Sequence, residues 1–168
     1  MAGNTEIIDH GWDEYVAQLK AMSNKPHAKV GYPEDGTLAT GSNAGSGQDP
    51  IDNMSELALI AMWNDFGTKN GRIPSRRFFR DGIDLHIDKI NQMGKRMVEK
   101  ISKGEISTED ALDVMGLFVE TKIKENIDNS RSLYKKNADL TIELKKSDHP
   151  LIDTGQLKES VQHIVEMS

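Results

Sequence analysis

The chain has no cysteine, few aromatics and no long apolar run, and each shortage removes a class of function. Without cysteine there is no disulfide, no thiolate nucleophile and no Cys-type zinc site. Aromatic residues make up 5% and hydrophobic residues 36% of the 168 positions, against 29% charged. The core is therefore lean, and part of the stability is expected from association with other copies or partners. The longest apolar run falls far short of the roughly 20 residues a membrane span needs, and MAGNTEIIDHGW lacks a basic start followed by an apolar stretch. The chain reads as soluble, assembled in cytoplasm, with no membrane contact. A formal net charge of -6 without any basic block gives no general affinity for phosphate backbones, so a nucleic-acid contact would have to be local.

Catalytic patterns are scarce as well. His10, His27, His86, His149 and His163 are scattered without metal-ligand spacing such as H-x-x-x-H, and each reads as a surface or packing histidine. Ser160, His163 and Asp153 hold the letters of a triad, but no G-x-S-x-G turn frames the serine. Asp81, Asp84 and Asp88 recur at helical spacing and describe a solvated face rather than an acid–base pair. The glycines of GSNAGSGQ lack the Gly-Lys-Ser/Thr ending of a phosphate-binding loop. No enzyme, cofactor or metal is expected.

What is there centres on Leu57 to Arg80, LALIAMWNDFGTKNGRIPSRRFFR. Leu57 to Trp63 is apolar at every position, so a helix here has no water-tolerant face and must be covered on nearly all sides. After Gly67 the chain turns and enters a segment where Arg72, Arg76, Arg77 and Arg80 surround Phe78 and Phe79. On one helix, Arg76 and Arg80 would lie a turn apart with Arg77 beside them, presenting forked donors on one side. Three readings are open: intramolecular ion pairs, salt bridges between subunits, or contact with nucleic acid.

The flanking sequence predicts an α+β domain over 1–168. An N-terminal helix within 1–26 carries Trp12, Tyr15, Val16, Leu19 and Met22 on one stripe, closed by Pro26. Ala28 to Tyr32 predicts a strand ended by Pro33. Residues 34–50, rich in Gly and Ser, read as a flexible loop, either a surface insertion or an arm to an adjacent subunit. Asn53 and Glu56 form a capping box for the helix that Gly67 stops. A long helical hairpin is expected over 75–129. Its first arm, capped by Ser75, carries Phe79, Ile83, Ile87, Ile90, Met97 and Ile101 and would run on the order of 40 Å. Gly104 ends that arm, and Ser107 with Asp110 caps the second, through Leu112, Met115, Val119, Ile123 and Ile127. NSRSLYKKNAD reads as irregular and Leu140 to Lys146 as a short helix. Within 150–168, Asp153 or Thr154 caps a turn through Leu157, and Val161, His163 and Val165 alternate as a strand.

WNDFGTKNGRIPSRRFFR, Trp63 to Arg80, resembles the N-E-F-G-T … I-P-A-R-P-F-hydrophobic-R signature of tailed-bacteriophage neck and tail-completion proteins, also called virion-morphogenesis or minor tail proteins. PLIDTGQLKES, Pro150 to Ser160, resembles their second signature, P-L-hydrophobic-D-T-G-x-L-x-x-S. Matching positions are Asp65, Phe66, Gly67, Thr68, Ile73, Pro74, Arg76, Phe78 and Arg80, then Pro150, Leu151, Asp153, Thr154, Gly155 and Leu157. Asp65 replaces the usual Glu, and Arg77 stands where Pro is common.

The resemblance implies a small, mostly antiparallel sheet packed on helices, with Ala28 to Tyr32 paired to Val161 to Val165. It implies a non-enzymatic virion component of the head-to-tail connector, a homo-oligomeric ring of six or twelve copies. Portal-adaptor or head-closure proteins would sit above it and tail-terminator or tail-tube proteins below, with DNA passing transiently through. The apolar helix would be sealed between the sheet and the two long helices. Interface residues would come from Phe66, Gly67, Thr68, Arg72, Ile73, Pro74, Arg76, Arg77, Phe78, Arg80, Asp153, Thr154, Gly155 and Leu157. An acidic chain suits a channel wall that must not retain phosphates. The alternative is a cytoplasmic module that recognises nucleic acid or an acidic peptide through the Arg72–Arg80 turn.

Overall fold

Strands from the two ends of the described chain pair with each other. The structure, a computed structural model, describes residues 13, 16, 17, 20, 23–34, 37–38, 56–145, 148–152 and 155–167. Strand β1 (His27–Gly31) runs antiparallel to β4 (Gln162–Glu166), with Val30 opposite His163 and Ala28 opposite Val165. This is the pairing expected, and the fold is α+β. A second, minimal hairpin joins β2 (Pro33–Glu34) to β3 (Thr37–Leu38), so the start of the stretch read as a flexible loop is paired. Residues 39–50 and the capping residue Asn53 lie outside the described residues, as do Trp12, Tyr15, Leu19 and Met22 of the N-terminal stripe; Val16 is helical.

Among the described residues seven helices follow: α1 (Glu56–Phe66), α2 (Phe78–Asp84), α3 (Ile87–Ser102), α4 (Thr108–Asp128), α5 (Ser130–Leu133), α6 (Asp139–Lys145) and α7 (Gln156–Glu159). Helix α4 is the spine, and its local sequence explains its start. Ser107 Oγ accepts the amide of Asp110 at 3.0 Å and donates to Asp110 Oδ2 at 2.6 Å, a reciprocal cap. Gly116, Ile123 and Ile127 share its buried face, on which α2 and both strands of the β1–β4 sheet rest. Phe78, Ile123, Ile127 and Val161 are fully buried, and Tyr32, Ala61, Leu151 and Leu157 complete the core.

The hairpin departs from expectation in its first arm, which is two helices rather than one of about 40 Å. The chain breaks at Leu85–His86, and α3 alone spans about 24 Å. The reason is spacing against α4. A Cβ on Gly82 would lie 2.6 Å from Ile123 Cγ1 and 3.1 Å from its Cα, whereas one on Gly94 would meet only the end of Met115 at 3.5 Å. The break separates a closely packed segment from one held off by side chains. The order of these contacts, Gly82 by Ile123, His86 by Phe118 and Gly94 by Met115, makes the two arms antiparallel as predicted. Gly104, at φ +70, ends α3.

Two further expectations are corrected. Ser75 does not cap a helix: α2 starts three residues later, and the Ser75 hydroxyl donates to the Asp65 carbonyl at 2.8 Å. Helix α1 is not covered on nearly all sides, nor sealed between the sheet and the two arms. Leu57, Ala58, Ile60 and Ala61 join the core, while Trp63 is 42% and Phe66 62% exposed, and the packing partners are mainly α2 and α7.

Candidate functional site

Segment 63–80 folds back on the end of α1 and supplies what that helix end lacks. The last carbonyls of any helix have no partner within it. Here the Trp63 carbonyl accepts from the Gly67 amide at 2.9 Å and the Asn64 carbonyl from the Arg76 amide at 2.7 Å. The Asp65 carbonyl accepts from Ser75 Oγ and from Arg80 Nη2, both at 2.8 Å. Gly67 is required twice over: its φ is +78, and a Cβ there would fall 2.8 Å from the Ser75 nitrogen. Between them, Thr68 closes the loop, its hydroxyl accepting the Ile73 amide at 2.9 Å and donating to Asn70 Oδ1 at 2.8 Å.

Asp65 is the hinge pin of this turn. It follows Ala61 by four positions and so falls on the inward face of α1, where it is buried. Its Oδ1 accepts the amides of Phe79 at 3.0 Å and Arg80 at 3.4 Å, capping an α2 that has no local side-chain cap. Its Oδ2 receives Arg80 Nε at 2.6 Å. The charges suit the helix ends they face: a carboxylate at the start of α2 and a guanidinium at the end of α1. Arg80 also lies 4.2 Å over the ring of Phe66.

Arg76 ties the turn to the rest of the chain. It precedes α2, points inward and is only 3% exposed. Its Nη1 donates to Asn64 Oδ1 at 3.0 Å, its Nε to the Lys135 carbonyl at 2.9 Å, and its Nη2 to Asn137 Oδ1 at 2.9 Å and the Lys136 carbonyl at 3.3 Å. All four acceptors are neutral, and burial draws the guanidinium below its usual range. Of the stretch read as irregular, Asn129 to Asp139, Ser130–Leu133 is instead helix α5, while Tyr134 to Ala138 is held by this fork, and Asn137 in turn donates to the His149 carbonyl. The short helix predicted from Leu140 is α6.

The predicted site residues thus separate into kinds. Phe78 and Leu157 are core, joined by Ala61 and Leu151 in one cluster, so each of the two signature segments contributes to the same core. Arg77 is exposed and paired with Asp84 at 2.5 Å and Asp81 at 3.5 Å, so Asp81 and Asp84 do more than form a solvated face. Arg76, Arg77 and Arg80 do not share one side of a helix. Arg72 is exposed, without an ion pair among the described residues; Ile73 and Pro74 are half-buried. Gly155, at φ +85, is the N-cap of α7, with Leu157 buried beneath; Asp153 and Thr154 lie outside the described residues.

A second cluster escaped sequence reasoning. His163 Nδ1 lies 2.6 Å from Glu120 Oε2 and its Nε2 3.0 Å from Asp113 Oδ1, not against Ser160. The same Glu120 oxygen accepts the His163 backbone amide at 3.1 Å, and Lys124 holds the other at 2.6 Å. Burial works against charge on His163, but the hydrogen bonds it donates to Glu120 and Asp113 outweigh it and raise its pKa. Burial likewise opposes charge on Glu120, and the bonds from Lys124 and His163 overcome it and lower its pKa. The only local signal was Gly116, whose absent side chain leaves room for the imidazole. Among the described residues, no group of acidic or histidine side chains is arranged to hold a metal, and no helix is long and apolar enough to cross a membrane. Comparison with protein-family models, curated proteins and solved structures finds nothing that matches this chain.

Proposed function

We propose that this chain is a structural subunit of the head-to-tail connector of a tailed bacteriophage, a neck or tail-completion protein that closes into a ring. The ring continues the DNA channel and docks the tail to the head. One observation carries this reading: the two segments that resemble the connector signatures, though far apart in sequence, contribute to one core, Phe78 from the first and Leu151 and Leu157 from the second. Residues that share a core support one another's placement, the consistency expected of two motifs that belong to one fold. The outward apolar residues of α1 add support, because they are left for a neighbour to cover. An acidic chain is also suited to a wall along which DNA slides.

The alternative, recognition of nucleic acid or an acidic peptide by the Arg72–Arg80 turn, has weaker support, since Arg76, Arg77 and Arg80 are engaged within the chain. Sedimentation of the purified protein over a concentration series, with particle reconstruction locating the chain, tests the proposal. Rings that enter particles at the neck are expected. A chain that stays monomeric and is absent from particles, or that binds DNA with a steep salt dependence lost in Arg72→Ala, would overturn it.

A further inference from the structure

Helix α1 carries two apolar faces, and only one is used. Leu57, Ala58, Ile60 and Ala61 pack inward. Leu59, Met62, Trp63 and Phe66 follow the spacing of a second stripe, the first two half-buried and the last two exposed. The stripe runs into the 68–73 loop, where Lys69 and Arg72 are exposed without ion pairs among the described residues. Segment 63–80 as a whole holds five basic side chains against Asp65 alone.

The outer ridge of α4 has the opposite character. Val114 and Leu117, one turn apart, are 40% and 51% exposed. Asp110 and Asp113 lie beside them at helical spacing, Asp113 also bonded to His163, and the helix as a whole carries six acidic and two basic side chains. One subunit cannot bring these two surfaces together. The α1 end of the fold meets α4 near Asn126, whose Nδ2 donates to the Phe78 carbonyl, and Val114 lies a further 18 Å or so along the axis.

We propose that the basic, aromatic stripe of α1 and its loop docks on the acidic, apolar ridge of α4 in a second copy of this chain. The pairing rests on the ring reading and gives it a chemistry. Two different patches meet head to tail, the arrangement that closes rings. Trp63 and Phe66 supply the aromatic anchors against Val114 and Leu117, and Lys69 and Arg72 face Glu109 and Asp110.

The cysteine-free sequence makes the test direct. Trp63→Cys, Leu117→Cys and the double variant are treated with a short bis-maleimide cross-linker, beside sedimentation of the unmodified protein. Both positions are exposed, so each variant is expected to keep the parent urea midpoint. Covalent multimers from the double variant, with single variants left uncross-linked, are the expected result. Trp63→Asp should also raise the concentration needed for assembly by at least about tenfold. Dimers from Trp63→Cys alone would mean that α1 meets α1, and would overturn the head-to-tail pairing. Rings of the unmodified protein with no cross-link in the double variant would overturn these patches and leave the ring reading standing. A monomer at every concentration would overturn both.

Discussion

Asp65 and Arg80, fifteen residues apart, clasp two helix ends at once. The Asp65 carboxylate receives Arg80 Nε at 2.6 Å and caps α2 through the Phe79 amide, while Arg80 Nη2 returns to the Asp65 carbonyl at the end of α1. Removing a buried carboxylate with these partners leaves a cation and two amides short of an acceptor. Asp65→Ala should cost about 3 kcal/mol, and Asp65→Asn less, because an amide oxygen can still cap. Urea unfolding read as a lower midpoint with an unchanged slope checks this.

Arg76 is predicted to tolerate no lysine. Its planar fork serves four acceptors on Asn64, Lys135, Lys136 and Asn137 from different directions, and an ammonium on a single stem cannot reach them all. Arg76→Lys should cost about 2 kcal/mol, and should speed amide exchange over Tyr134 to Asn137 more than in the body of α4. Equal protection in both proteins would show that the fork does not hold this segment.

Gly116 sits mid-helix, where alanine would ordinarily stabilise by about 1 kcal/mol. The opposite is expected here. A Cβ would lie 2.7 Å from His163 Cδ2 and 3.0 Å from its Cγ, and the imidazole cannot move aside while Glu120 and Asp113 hold it. Gly116→Ala should lose about 1–3 kcal/mol. In the His163→Ala background that loss should vanish, a non-additivity that a double-mutant cycle measures.

The His163 cluster also fixes a pH dependence. Its folded pKa is raised above the ordinary 6.5, so the charged ring stabilises the fold fully below that value and the contribution fades as pH rises through the folded value. Glu120, lowered from 4.5, contributes above that value and loses its share as pH falls through its folded one. The stability advantage of the parent over His163→Gln should therefore be largest near about pH 6 and shrink toward about pH 9. Parallel stability curves over that range would rule out a cationic His163.

Elements governed by neighbouring residues were legible. The Ser107 cap, the stops at Gly67 and Gly104, helix α6 and the strands at the two ends all rest on interactions within a few positions. The resemblance carried by Trp63 to Arg80 and Pro150 to Ser160 implied the β1–β4 pairing as well. The break at Leu85–His86 was not legible, because the apolar period runs through it and the cause, Gly82 against the Ile123 backbone, lies forty-one residues away. The arginines misled for the same reason: their spacing describes one helix face, whereas Arg76 turns inward to carbonyls of a segment that lacks any periodic signal.

The sequence by itself determined the cap at Ser107, the stops at Gly67 and Gly104, the lean acidic composition, and an α1 apolar at every position from Leu57 to Trp63, because propensity, capping and periodicity are short-range effects. Tertiary structure alone decided which face of α1 is covered, which charges find partners, and that Asp65 and Arg76 are buried and His163 half-buried. Burial and ion pairing depend on what the chain brings together across tens of residues, and that distance leaves no mark in local spacing.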